Sequence, residues 1–142
     1  MPRGYKPKPQ QRRSRAARTP LAADAAAGPA SMPTARDCLG VAALGGKIFA
    51  VGGIKARCAL RTAEAYDPQT NTWAALASMC TPRCSFGLAA VQGRLFAAGG
   101  YADNGKEVTL DSVEAHDPQL DRCWTTVAPM SAPRSAFALV AG

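Results

Sequence analysis

At 142 residues the chain has room for one domain, and its 47% hydrophobic content is enough for a modest core. No stretch is long and apolar enough to span a membrane, and the alanine-rich run from Leu21 to Ala30 carries Asp24 behind a basic segment, a poor signal-peptide core. The net charge of +7 lies wholly in the first eighteen residues, because ten Lys and Arg face ten Asp and Glu from residue 19 onward.

The leader comes first in the chain. Arg3, Lys6, Lys8, Arg12, Arg13, Arg15 and Arg18 are interspersed with Pro2, Pro7, Pro9 and Pro20 and almost no apolar residues. Such a segment buries too little surface to offset the entropy of ordering, so residues 1–31 are expected to be a disordered basic tail. The run "QRRSRAAR" attracts polyanions without selecting a sequence, so the sequence favours a solvated leader over a nucleic-acid site. Its prolines oppose the amphipathic helix of a transit peptide.

From Met32 the sequence repeats itself. "MPTARDCLGVAALGGKIFAVGG" from Met32 matches "MCTPRCSFGLAAVQGRLFAAGG" from Met79, and "MSAPRSAFALVAG" from Met130 opens the pattern a third time. The match continues through "TAEAYDPQTNTWAALASM" and "SVEAHDPQLDRCWTTVAPM". The units are therefore 32–78, 79–129 and the start of a third at 130–142.

Each complete unit is expected to hold four strands. Apolar runs at Leu39–Leu44 and Lys47–Val51, and again at Phe86–Val91 and Arg94–Ala98, flank Gly45-Gly46 and Gln92-Gly93, which suit tight hairpin turns. Third strands at Thr62–Tyr66 and Ser112–His116 run into Asp-Pro turns, and the fourth strands carry Trp73 and Trp124. Gly52, Gly53, Gly99 and Gly100 are expected to be architectural, where a side chain would clash, and the two tryptophans to fill the packing between units.

These landmarks resemble the kelch family: the double glycines, Glu64 to Pro68, the spaced Trp and the Met-x-x-x-Arg opening each repeat. The resemblance covers Met32 to Gly142; one departure is His116 where the first repeat has Tyr66. It implies an all-β fold, a partial β-propeller of two four-stranded blades plus the first strand of a third behind the disordered tail. A closed propeller needs four to eight blades, so the sequence reads as a fragment or short isoform of a longer ring, with open blade faces prone to association.

Arg36, Arg83 and Arg134 share one register immediately before a first strand, and repetition on successive blades would set three guanidinium groups around one rim. The resemblance implies that arginines there, with Ser135 behind Arg134 and the aromatic Tyr101 behind the second double glycine, contact an acidic or hydroxyl-bearing peptide. Bidentate capture of carboxylates suits Arg; the alternative is that these arginines pair with acids of their own blade.

The five scattered cysteines, the single histidine and three tyrosines fit neither a disulfide framework nor a metal or copper-oxidase site, so neither metal nor other cofactor is expected. Glu64 and Glu114 fall on separate blades and make no acid–base pair. The chain is thus expected to be a non-enzymatic protein-binding module for a protein or peptide client, in the cytoplasm or nucleus. By resemblance the parent is a substrate-recognition subunit of a cullin-RING ubiquitin ligase, with actin-binding or scaffold proteins and the basic leader's nucleic-acid affinity as alternatives. No BTB-like segment precedes Met32, so contact with a cullin would need a region not visible in this sequence.

Overall fold

A computed structural model describes residues 28–103, 107–135 and 139. The first unit contains β1 (Gly40–Leu44), β2 (Lys47–Val51), β3 (Ile54–Lys55), β4 (Cys58–Ala59), β5 (Ala63–Asp67) and β6 (Thr72–Leu76). The second contains β7 (Gly87–Val91), β8 (Arg94–Ala98), β9 (Tyr101–Asp103), β10 (Glu107–Thr109), β11 (Val113–His116) and β12 (Thr125–Val127). Each unit forms one antiparallel sheet, β1-β2-β5-β6 or β7-β8-β11-β12, and β3–β4 and β9–β10 are short hairpins between its second and third long strands. The fold is all-β, two stacked blades of a propeller.

The turns obey the glycine chemistry read from the sequence. Gly45 and Gly46 both take positive φ (58° and 76°), as do Gln92 and Gly93 (48° and 77°), the backbone of a hairpin turn whose twist matches its strands. The two short hairpins were not foreseen: Asn104-Gly105 in the sequence between β9 and β10 is a turn signal that was passed over, whereas β3 and β4 meet at Ala56 and Arg57, at φ 50° and 64° without a glycine. Trp124 precedes β12 instead of lying within it.

Register gives the blades two ends. Gly40, Val51, Ala63 and Leu76 form one row, next to the loops 28–39 and 52–62; Leu44 with Lys47 and Asp67 with Thr72 stand at the other, next to the tight turns. These are called the loop end and the turn end below.

Between the blades, Phe49, Val51, Ala63 and Ala65 of the first meet Phe86, Leu88, Leu95, Ala97 and Trp124 of the second, with Met79 of the connecting segment between them. The same face recurs uncovered on the first blade. Leu95 is 0% exposed while Ile48, its counterpart by repeat register, is 40% exposed. Gly40 is what lets the sheets close: a Cβ there would lie 2.7 Å from Leu88 Cβ and 2.8 Å from the Phe86 ring. Gly40→Ala should therefore cost about 1–3 kcal/mol through overpacking, read as a lowered denaturation midpoint.

The tail expectation divides in two. Residues 1–27 lie outside the described residues, but 28–31 belong to the first blade, because Trp73 Nε1 donates to Ala30 O at 2.9 Å, as Trp124 Nε1 does to Ala77 O at 2.8 Å. Of the expected first strand of the third unit, residues 136–138 and 140–142 also lie outside the described residues.

Candidate functional site

The arginine register divides between interior and surface. Arg83 is 0% exposed. Its Nε and Nη2 both donate to Glu114 Oε2 at 3.1 Å, Nη1 to the carbonyls of Gly99 and Ser112 at 2.9 Å, and Nη2 to Ser112 Oγ at 2.8 Å. Glu114 also accepts the backbone N–H groups of Cys80 (2.6 Å) and Thr81 (3.3 Å), so both charges are satisfied without water.

Arg36 repeats the arrangement on Glu64 (3.3 Å), Gly52 O, Thr62 O and Thr62 Oγ1. The rim reading of Arg36 and Arg83 is thereby corrected. Their guanidinium groups point into their own blades, where a carboxylate and strand-end carbonyls outcompete solvent. Arg134 keeps only the backbone half of the pattern, with its N–H on Leu110 O and its carbonyl taking the Gly100 N–H, and its side chain is exposed.

What the loop end offers instead are the residues just after the buried arginines. Cys38 and Ser85 both sit at positive φ (53° and 50°), and Ser85 N donates to Cys38 O across the blade boundary at 3.0 Å. Tyr101 is half-buried beside them and bridges to Cys84 through the backbone. A hydrogen bond with the Cys84 thiol pushes the Tyr101 hydroxyl above its ordinary pKa, against an opposing bond with Ser85. Ser135 is exposed beside Arg134. Among the described residues, then, Ser85, Cys38 and Tyr101 are brought together, and Arg134 and Ser135 stand on the next connecting segment.

Lys55, Arg57, Arg61 and Arg134 are exposed at the loop end, where Asp37 and Asp111 are also exposed and the β9–β10 hairpin carries Asp103 and Glu107; Lys47, Arg94 and Arg122 share the turn end with Asp67, Asp117 and Asp121. Lys55, Arg57 and Arg61 fall together on the β3–β4 hairpin and the segment that leaves it, and the ion pairs among the described residues are the two internal ones, Arg36–Glu64 and Arg83–Glu114. Lys55, Arg57 and Arg61 were not singled out from the sequence; the stretch after Gly53 carries no glycine of its own to draw attention to it.

The remaining expected architectural residues sit where backbones cross. A Cβ on Gly52 would lie 2.6 Å from Arg83 O, and one on Gly100 2.5 Å from Cys84 O, both at positive φ; Gly53 and Gly99 share that backbone conformation. Cys80 and Cys84 point to different acceptors, Trp124 O and Tyr101 O, and the Glu114 carboxylate beside it, with burial, holds the Cys80 thiol pKa above its ordinary value. No three His, Cys, Asp or Glu side chains converge as a metal site among the described residues, and no helix there is long and apolar enough to cross a membrane.

Comparison with known proteins agrees with this geometry. The model of the Kelch motif matches twice, at residues 35–79 and 82–131. The chain belongs to the kelch-repeat family. A kelch relative, mouse Kelch-like protein 35, is 39% identical over 87 residues, which are 61% of this chain and 15% of that protein. Each matched kelch motif begins one residue before a buried arginine, Arg36 or Arg83, and holds a whole blade. The chain thus carries two repeats of a kind from which protein-interaction modules are built.

Proposed function

We propose that the loop end of the two blades binds an acidic, hydroxyl-bearing segment of a client protein. The observation that carries this reading is the cluster of exposed cations on one hairpin and its exit, Lys55, Arg57 and Arg61, at the end that also presents Tyr101, Ser85, Arg134 and Ser135. Charge of one sign at a surface steers an oppositely charged partner and fixes its orientation. In the longer protein to which the mouse relative corresponds, the same surface would select substrates for a cullin-RING ubiquitin ligase, in the cytoplasm or nucleus. This chain spans 15% of that relative, so the ligase role rests on the remainder.

The test uses a fluorescent octapeptide of alternating Glu and Ser, in a background where Arg12, Arg13, Arg15 and Arg18 are Gln so that the leader does not compete. Combined Lys55→Glu, Arg57→Glu and Arg61→Glu should weaken binding at least tenfold, about 1.4 kcal/mol, and Lys47→Glu with Arg122→Glu should leave it unchanged. Equal losses at both ends would refute a loop-end site. A second reading is favoured by the seven uncompensated cations before residue 19: nucleic acid held by the leader, which would show steep salt dependence and indifference to Lys55.

A further inference from the structure

The segment that enters each blade is held differently in the two. Entering the second blade, it gives its own N–H groups to Glu114, from Cys80 and Thr81. Entering the first, the residue in the place of Cys80 is Pro33, which has no N–H to give, and Glu64 takes the Thr34 hydroxyl instead, at 3.0 Å.

The lost backbone bonds are replaced further upstream. Asn71 Oδ1 accepts the Ala30 N–H at 2.7 Å and the Tyr66 hydroxyl at 2.7 Å, Asn71 Nδ2 donates to Gly28 O at 3.4 Å, and Trp73 Nε1 donates to Ala30 O at 2.9 Å. Both polar backbone groups of Ala30 are thus read by side chains of one blade. The second blade keeps only the Trp bond: its residues at the positions of Tyr66 and Asn71 are His116 and Arg122, and His116 Nδ1 donates to Cys123 O.

We propose that residues 28–31 form a releasable strap, latched on the first blade by Asn71 with Tyr66 and Trp73, whose opening frees the Trp73 indole and so enlarges the open face of that blade. The bonds of the latch are side chain to backbone and only part-buried, so they open at lower cost than the core. Asn71 itself sits at φ 52°, a conformation that Asn tolerates and that keeps its amide turned to the strap. Opening the strap would uncover the edge of the Tyr66–Trp73 ring pair, whose centroids are 5.2 Å apart.

Two measurements on the full chain test the latch: native-state amide exchange at Ala30 and the rate at which elastase cuts after Ala30. Asn71→Gly is the main variant, because glycine keeps the positive φ while removing the latch, and Asn71→Asp is the second, because it keeps the acceptor for Ala30 and loses only the longest bond. Asn71→Gly should speed both exchange and cleavage at least tenfold while the amides of Val51 and Leu95 keep their protection. Asn71→Asp should stay within about threefold of the unaltered chain, the small change expected when one weak hydrogen bond is lost. Equal rates in Asn71→Gly and the unaltered chain would overturn the proposal. So would loss of protection at Val51 and Leu95 together with Ala30, which would make Asn71 a residue of the fold as a whole and the strap no separate unit.

Discussion

Arg83→Ala is expected to lower the unfolding free energy by about 3–5 kcal/mol, the cost of leaving a buried charge without its partner. The reason is Glu114, 1% exposed and dependent on Arg83 for the guanidinium that neutralises it, while Gly99 O loses its Arg83 donor and Ser112 O keeps only the Gly99 N–H. Arg134→Ala, at the same register but exposed, should cost no more than about 0.5 kcal/mol, as surface substitutions do. Urea denaturation of the two variants decides the matter. Similar midpoints for both would mean that the Arg83–Glu114 pair adds nothing to the fold. With the expected lower midpoint for Arg83→Ala, any loss of client affinity in that variant follows from the loss of structure.

Trp124→Ala should cost about 3–5 kcal/mol, in the range for truncating a buried aromatic. Its indole is 2% exposed, stacks on His116 with ring centroids 5.1 Å apart and 18° between planes, and donates to Ala77 O across the blade boundary. Trp73 makes the same bond to Ala30 but is only half-buried, because no blade covers its face among the described residues. Trp73→Ala should accordingly cost about 1–2 kcal/mol, the transfer of a partly buried ring, less than its repeat position alone suggests. Unfolding curves of the two variants, taken under one condition, should show midpoints in that order; the reverse order would mean that the first blade's outer face is covered.

Much of the fold was legible because its signals are local. Gly45-Gly46 and Gln92-Gly93 fix the turns that join β1 to β2 and β7 to β8, and the apolar runs beside them bound the strands to within a residue. The fate of the arginines was harder to read because their partners are distant: Arg36 meets Glu64 across 28 residues and Arg83 meets Glu114 across 31. A signal did exist, since the Arg and the Glu recur together in both complete units, and a residue whose partner repeats with it is better read as a pair than as a free donor. The positive φ of Cys38, Ser85, Ala56 and Arg57 had no local signal, because these residue types carry no preference for that backbone region and tertiary contacts impose it. The first-blade strap was hidden within a segment whose composition resembles the leader, and only the side chains of Asn71 and Trp73 set it apart.

Residue 83 has a double allegiance. Its backbone bonds to the first blade, N–H to Leu60 O at 3.0 Å and carbonyl to Gly53 N–H at 2.8 Å, while its side chain is bound wholly within the second. One amino acid thus rivets two neighbours, and pulling the blades apart must break both sets of bonds. A blade excised at Met79 carries the rivet away from the carbonyl and amide it was fastened to, and leaves Ala77, the acceptor of the Trp124 indole, on the other piece. Units that can be exchanged between such proteins should therefore be cut just ahead of the residue that the tryptophan holds, between Pro29 and Ala30 and at the repeat equivalent between Leu76 and Ala77, so that each graft arrives with its own fastening.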